Sequence, residues 1–197
     1  MALSDLEHRR YSKQIQLAEI GEEGQLKLKA AKVLVIGAGG MGTPVLQYLA
    51  AAGIGTLGIC DSDYVNETNF HRQIMYGASD LGKLKTIVAK EKLSLLNALT
   101  NFNIHNIAIK EDNVLTICNG YDVVVDCTNN KNANEIIYKT CQALSLPLVL
   151  GIHDGFTGSV AYILKCELEF SDIANQLEPV TRDVKGILGV ITGLIGS

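Results

Sequence analysis

The stretch "KVLVIGAGGMGTPVLQYLAAAGIGTLGICD", residues 32–61, constrains the fold more than any other part of the chain. A β-branched apolar run, a glycine-rich turn, a helical segment and a second apolar run ending in an acid form the opening unit of a parallel α/β sheet. Gly37, Gly39 and Gly42 stand at the GxGxxG positions. There the missing side chains let the backbone turn tightly and offer N–H groups to an anion at the head of a helix. Asp61 closes the second run, where a carboxylate accepts hydrogen bonds from ribose hydroxyls. The turn reports a phosphate and a ribose. It does not choose between a redox dinucleotide and a triphosphate.

The remainder repeats the alternation. Residues 101–109, 122–127 and 146–151 join 32–37 and 56–61 as strands, most of them continuous apolar runs of the kind buried on both sheet faces. Residues 41–52, 83–98 and 132–143 read as helices. In 83–98, Leu84, Ile87, Val88, Leu95 and Leu96 are expected to form the buried face and Lys83, Lys90 and Glu91 the wet one. Residues 157–170 read as further extended structure, and 186–196 as a glycine-punctuated terminal helix. The expectation is a doubly wound, mostly parallel α/β sheet of the Rossmann-like kind, in a single domain over residues 1–197, with its sites at the carboxyl ends of the strands.

Composition closes off several classes. With 197 residues, 47% hydrophobic and 19% charged, the chain supports a sizeable core and is not disordered in character. No apolar run reaches the roughly 20 residues that cross a bilayer, and "MALSDLEHRR" has no apolar leader, so a cytoplasmic protein with no membrane partner is expected. A net charge of −4 weighs against nucleic acid as a partner. Cys60, Cys118, Cys127, Cys141 and Cys166 are scattered without CxxC spacing and read as reduced thiols, several of them in a core.

The segment after Asp61 separates the two cofactor classes. "DSDYVNETNFHRQIMYGASDLGKLK" brings Asn69, Arg72 and Gln73 into one turn and Lys85 to the head of a helix. A nicotinamide needs an apolar bed for a neutral ring, whereas an Asn, an Arg and a Lys converging beside a glycine turn suit a triphosphate. Arg72 or Lys85 alone reads equally well as a solvated surface charge. A nicotinamide oxidoreductase stays open as an alternative, marked by NADH binding that ATP fails to displace.

Several motifs in order, "RYSKQI" (10–15), residues 21–65 with the glycine turn, "NFHRQIMY" (69–76), "DLGKLK" (80–85), "YDVVVDCTNN" (121–130) and "GILGVITGLIGS" (186–197), closely resemble the ThiF/MoeB/HesA family, the bacterial relatives of ubiquitin-activating enzymes. The resemblance implies a homodimer that binds ATP with Mg2+ and adenylates the C-terminal Gly-Gly carboxylate of a ubiquitin-like sulfur carrier protein. Some relatives adenylate a small-molecule carboxylate instead. It also implies that Gly37, Gly39, Gly40 and Gly42 lie under the phosphates, that Asp61 and Asp63 hold the nucleotide, and that Asn69, Arg72, Gln73 and Lys85 surround the triphosphate.

The chain departs from the family pattern in four places. Asn129 stands where the family carries an aspartate for magnesium, which should weaken both metal binding and catalysis. Lys13 replaces an arginine expected to reach the partner subunit's ATP, keeping the charge without the bidentate fork. The paired CxxC motifs of many relatives are missing, so no zinc site is expected. Cys166 stands alone and reads as a structural or surface thiol, and Arg182 sits near the place of the relatives' downstream thiol. The family pattern continues beyond "GLIGS", so the chain reads either as a shortened member or as a fragment. Asp126 reads as structural and His71 as a surface or packing histidine. His153, with Asp154, lies where a substrate tail should pass. These departures keep a second function open: a nucleotide-binding, catalytically weakened paralogue that serves as a partner subunit.

Overall fold

The computed structural model describes residues 2–164 and 168–177. At its centre is β1 (Lys32–Ile36): Val33 and Val35 enter one apolar core, Leu34 and Ile36 the other. Side chains alternate across a strand, so a run without polar positions is stable only where both faces are covered. β2 (Thr56–Cys60) lies parallel to β1 and to β3 (Asn101–His105); β4 (Val123–Asp126) and β5 (Leu148–Asp154) extend the parallel sheet on the other side. β6 (Thr157–Ile163) turns back antiparallel on β5, giving the order β3-β2-β1-β4-β5-β6. The winding direction reverses between β1 and β4, and a crevice opens there at the carboxyl ends of the strands.

Helices α1 (Asp5–Arg10), α2 (Ser12–Ile15) and α3 (Gly21–Ala30) precede the sheet. α4 (Gly42–Ala52) and α5 (Lys85–Leu96) cover the first core through Leu46, Ala50, Val88, Ala89 and Leu93. α6 (Val114–Cys118), α7 (Lys131–Leu144) and α8 (Phe170–Leu177) cover the second, where the Tyr138 and Phe170 rings meet tilted at 43° with centroids 5.6 Å apart. Each fully buried Leu, Ile or Val contributes about 1.5–3 kcal/mol to holding these layers together. Local signals set the helix ends: Gly53 is left-handed after α4, Asn130 caps Ala133 N–H at the head of α7, and Ser145 and Pro147 close its tail.

The structure corrects the expected face of α5. Lys85, Thr86, Val88, Ala89 and Leu93 are buried, whereas Ile87 is exposed and Leu95 and Leu96 are out in solvent. The helix stops at Leu96 because the next residue, Asn97, is buried and tied by its amide nitrogen to Tyr11 Oη at 2.8 Å and to Ala50 O at 2.7 Å. A polar anchor, not the apolar stripe, fixes its rotation. The third strand stops at His105, four residues earlier than expected, and the fifth continues three residues further, to Asp154, because β6 pairs with it as a hairpin. Of residues 157–170, 157–163 are strand and Phe170 opens α8. The expected helix at 186–196, Cys166 and Arg182 lie outside the described residues. Among the described residues no helix is long and apolar enough to cross a membrane.

Candidate active site

The glycine turn is held from all sides. Gly37 has φ +95°, and a Cβ there would come within 2.9 Å of the Cys127 carbonyl; a Cβ on Gly42 would meet Gly37 O at 1.8 Å. Only glycine fits either position. Gly37 N–H donates to Cys60 O at 2.7 Å, Ala38 N–H to Asp61 Oδ2 at 2.7 Å, and the buried Tyr76 hydroxyl to Ala38 O at 2.8 Å. Burial drives the Tyr76 phenol far up from its ordinary pKa, with the charges of Asp61 and Asp80 adding to it, so it is a permanent O–H donor.

Above this turn lies a cavity of about 740 Å³, within the usual range for a small-molecule site. Gly37, Gly39 and Gly40 form its floor. Asp61, Asp63, Asn69, Arg72, Gln73 and Lys85 line one side, Asn129 and His153 the other. Lys85 is buried, and its Nζ donates to Asp63 Oδ2 at 2.8 Å, although Asp63 itself is largely exposed. The backbone repeats the link, with Lys85 N–H donating to Asp63 O at 3.0 Å. Arg72 donates through Nη1 to Thr68 O at 2.9 Å and lies 3.3 Å from Nε2 of the exposed His71. Asn69 is buried, its Oδ1 capping Asn66 N–H at 3.0 Å. Gln73 is buried too, and its Oε1 has no hydrogen-bond partner. A buried acceptor of that kind costs about 1–3 kcal/mol until something donates to it.

Asp126 and Asn129 lie on the β4 side. Asp126 is fully buried and accepts from Thr128 N–H, Thr128 Oγ1 and Asn134 Nδ2 at 2.9, 2.8 and 2.7 Å, an arrangement that shapes the β4–α7 turn. Burial pushes its carboxyl up, against those three donors. Asn129 is exposed, has φ +50°, and accepts from His153 N–H at 2.9 Å. Lys13 is exposed on α2 and does not line the cavity; Gly42 sits beneath the turn as a packing glycine.

Sequence reasoning missed the wall made by Ile107, Ala108 and Ile109, which the cavity meets just beyond β3, and the contributions of Thr128 and Asn132. The segment 101–109 carried the signal, in its apolar end Ile107–Ala108–Ile109. Its second half lines the cavity instead of extending the strand, where it offers an apolar surface to a flat ring. Two cysteines also face the cavity. Burial, helped by the charge of Asp61, pushes the Cys60 thiol up to about 12, and burial with the charge of Asp126 drives Cys127 up as well. Both are protonated and poor nucleophiles at neutral pH.

The donor set also bears on a divalent cation. Among the described residues no three of His, Cys, Asp and Glu gather into a cage. Both oxygens of Asp61 take backbone N–H groups, from Ala38 and Asp63, and Asp63 is paired with Lys85. A Mg2+ held here would find few uncommitted carboxylate oxygens among these residues, and Asn129 Oδ1, which already accepts one hydrogen bond, would be a weak, neutral ligand.

Comparison with known proteins follows the same lines. The chain is 38% identical over 201 residues to a probable molybdopterin-synthase adenylyltransferase of Gracilaria tenuistipitata var. liui, an alignment covering 99% of this chain and 56% of that protein. It is 41% identical over 152 residues to a sulfur carrier protein adenylyltransferase of Thermus thermophilus, covering 77% of this chain and 56% of that one. Among solved structures, E. coli tRNA N6-threonylcarbamoyladenosine dehydratase in complex with ATP matches with a TM-score of 0.72 at 27% identity, over 76% of this chain and 61% of that chain. The chain thus spans a little over half the length of these curated relatives. The ThiF family model matches residues 11–197, nearly the whole sequence, and the chain belongs to that family.

Proposed function

We propose that the cavity binds ATP and that the protein is an adenylyltransferase that activates a carboxylate as its acyl-adenylate. One observation carries this reading: a single cavity joins the glycine turn to both Arg72 and Lys85. In the reaction a carboxylate oxygen bonds to the α-phosphorus, the bond from that phosphorus to the β-bridging oxygen breaks, and pyrophosphate leaves. The N–H groups of the turn and the head of α4 hold phosphate oxygens. Asp61 receives a ribose hydroxyl, and the apolar wall at Ile107–Ile109 receives the base. Gln73 Oε1 gains the donor it lacks.

Arg72 and Lys85 stabilise the charge that builds on the leaving oxygens. Asp63 keeps Lys85 aimed at the cavity until phosphate competes for the ammonium. A bound Mg2+ would neutralise phosphate charge, with Asn129 as its weak protein ligand. The favoured acceptor is the C-terminal Gly-Gly of a ubiquitin-like sulfur carrier protein, supported by the names of the relatives above; a small-molecule carboxylate is the other. A homodimer would give the exposed Lys13 a partner's site to act in.

Acceptor-dependent exchange of labelled pyrophosphate into ATP tests the reading, with exchange expected only when ATP, magnesium and a Gly-Gly carboxylate are all present. ATP binding without exchange for any carboxylate would favour the second reading, a weakened nucleotide-binding subunit. That reading draws its support from Asn129, whose oxygen is already engaged and brings no charge. NADH binding that ATP cannot displace would favour an oxidoreductase, in which Arg72 and Lys85 have no task.

A further inference from the structure

β5 outruns its parallel neighbour. Its register with β4 ends at Asp126↔Leu150, while its antiparallel register with β6 continues to Asp154↔Thr157. Pro147 O accepts from Val124 N–H on the β4-facing edge, and every second residue of β5 turns its backbone groups the same way. His153 is one of these. Beyond Leu150 no β4 residue stands opposite, so its N–H is left open to another acceptor. Asn129 Oδ1 supplies one at 2.9 Å. Asn129 reaches it from a left-handed conformation, φ +50°, which asparagine tolerates better than most residues. A single side chain thus ties the turn after β4 to the end of β5.

That tie fixes a half-buried imidazole in the wall of the cavity, which Arg72 also lines. Its ring nitrogens give that wall a hydrogen-bonding group next to the Arg72 side of the cavity. Its position is at the opposite end of the cavity from the apolar wall at Ile107–Ile109: β3 and β5 are separated in the sheet by β2, β1 and β4. With the base over the β3 end and the phosphates over the turn after β1, the β5 end is left for the acceptor.

We infer that Asn129 is a positioning residue that holds the end of β5 so that His153 contacts the acceptor's carboxylate-bearing tail, making His153 a determinant of acceptor recognition and not of nucleotide binding. The inference rests on the adenylation reading above. It gives Asn129 a task distinct from ligating a metal, one that needs its oxygen but not a charge.

The test uses the full chain and, as probe, a short synthetic peptide ending in Gly-Gly with a free carboxylate. Asn129→Gly keeps the left-handed turn and removes the acceptor oxygen; Asn129→Asp keeps the oxygen. In Asn129→Gly the amide of His153 should exchange with solvent about tenfold faster by NMR, and the KM for the peptide in pyrophosphate exchange should rise about tenfold. Asn129→Asp should retain both the slow amide and the low peptide KM. His153→Ala should raise the peptide KM as far, with no further rise in the double variant, while calorimetry shows ATP affinity within about twofold of the parent. An unchanged peptide KM in Asn129→Gly overturns the inference, and so does an unchanged His153 amide. Absence of exchange with any carboxylate in the parent protein, the peptide, a whole carrier protein and small acids included, is a separate failure: it removes the adenylation reading, and with it the acceptor role of His153.

Discussion

The two ends of the cavity are built by different means. At the β1–β2 end, backbone meets backbone: Gly37 packs on the Cys127 carbonyl, Gly42 on Gly37 O, and Ala38 is pinned through both its N–H and its C=O. At the β4–β5 end an exposed amide side chain reaches across to one backbone N–H. The first end tolerates almost no change of residue. The second is held by a contact worth about 0.5–1.5 kcal/mol. On the adenylation reading the first end would cradle the nucleotide and the second would meet the acceptor, which predicts that substitutions at the two ends fail in different ways.

The largest effect should come from Gly42→Ala. Its methyl would sit 1.8 Å from a carbonyl oxygen that β1 and the turn hold in place, so relief requires moving the strand or the helix. A loss of about 4 kcal/mol or more is expected, measured as a lower urea midpoint, with ATP binding lost alongside. Gly39→Ala is the internal control. Its methyl would meet only Gln73 Nε2, at 3.7 Å, and should cost less than about 1 kcal/mol. Equal destabilisation by the two would break the picture of a backbone-locked floor.

Next in size is Lys85→Ala, expected to slow pyrophosphate exchange by about 10²-fold or more while ATP affinity changes far less, because the ammonium acts on charge that develops during the reaction. Asp63→Asn should follow in the same direction with a smaller loss, since the 2.8 Å ion pair weakens while the backbone link from Lys85 N–H to Asp63 O at 3.0 Å remains. A purely structural Lys85 would lower stability and ATP binding together, and the urea midpoint separates the two outcomes.

Smaller again is Asn129→Asp at the β4–β5 end. The new carboxylate keeps its hydrogen bond to His153 N–H and adds a negative charge beside the phosphates. Exchange at limiting magnesium should rise about tenfold, or about 1.4 kcal/mol, and the magnesium requirement should fall. No gain would mean that the site is limited elsewhere and would strengthen the subunit reading.

The same contrast explains what was legible in the sequence. Backbone-locked features leave compositional marks, because only glycine satisfies the contacts at Gly37 and Gly42 and a strand covered on both faces is filled by apolar, largely β-branched residues; the sheet and the floor of the site follow from such marks. Arg72 and Lys85 were readable as a pair because charges in one segment near a glycine turn have few other tasks. The bond between Asn129 and His153 left no mark. It joins residues 24 apart in the chain, and either residue alone suits an ordinary loop. The rotation of α5 was misread for a related reason: the buried polar residue Asn97 sets its end, and Lys85 and Thr86 occupy its inner face where apolar periodicity points elsewhere. Polar anchors inside a core are invisible to a pattern that counts only apolar positions.

The smallest expected effect lies away from both ends of the cavity and serves to separate site effects from global stability. Glu7 is buried near the N-terminus, where Lys29 Nζ approaches within 2.8 Å and Ser4 donates through N–H and Oγ at 2.8 Å each. The hydrogen bond and charge of Lys29, with the Ser4 donors, hold its carboxyl down from an ordinary 4.5 to about 2. Because the folded protein favours the charged form, this stabilisation is complete above about pH 4.5 and is lost as pH falls through about 2. Glu7→Gln should therefore lie below the parent in Tm at neutral pH and converge with it near pH 2. The gap should be small, about 2 °C or less, since Lys29 remains partly exposed and solvent screens the pair. ATP affinity and exchange should match the parent. A Glu7→Gln protein with impaired exchange would mean that the amino edge of the sheet communicates with the carboxyl edge, and losses at Lys85 or Asn129 would then no longer count as local.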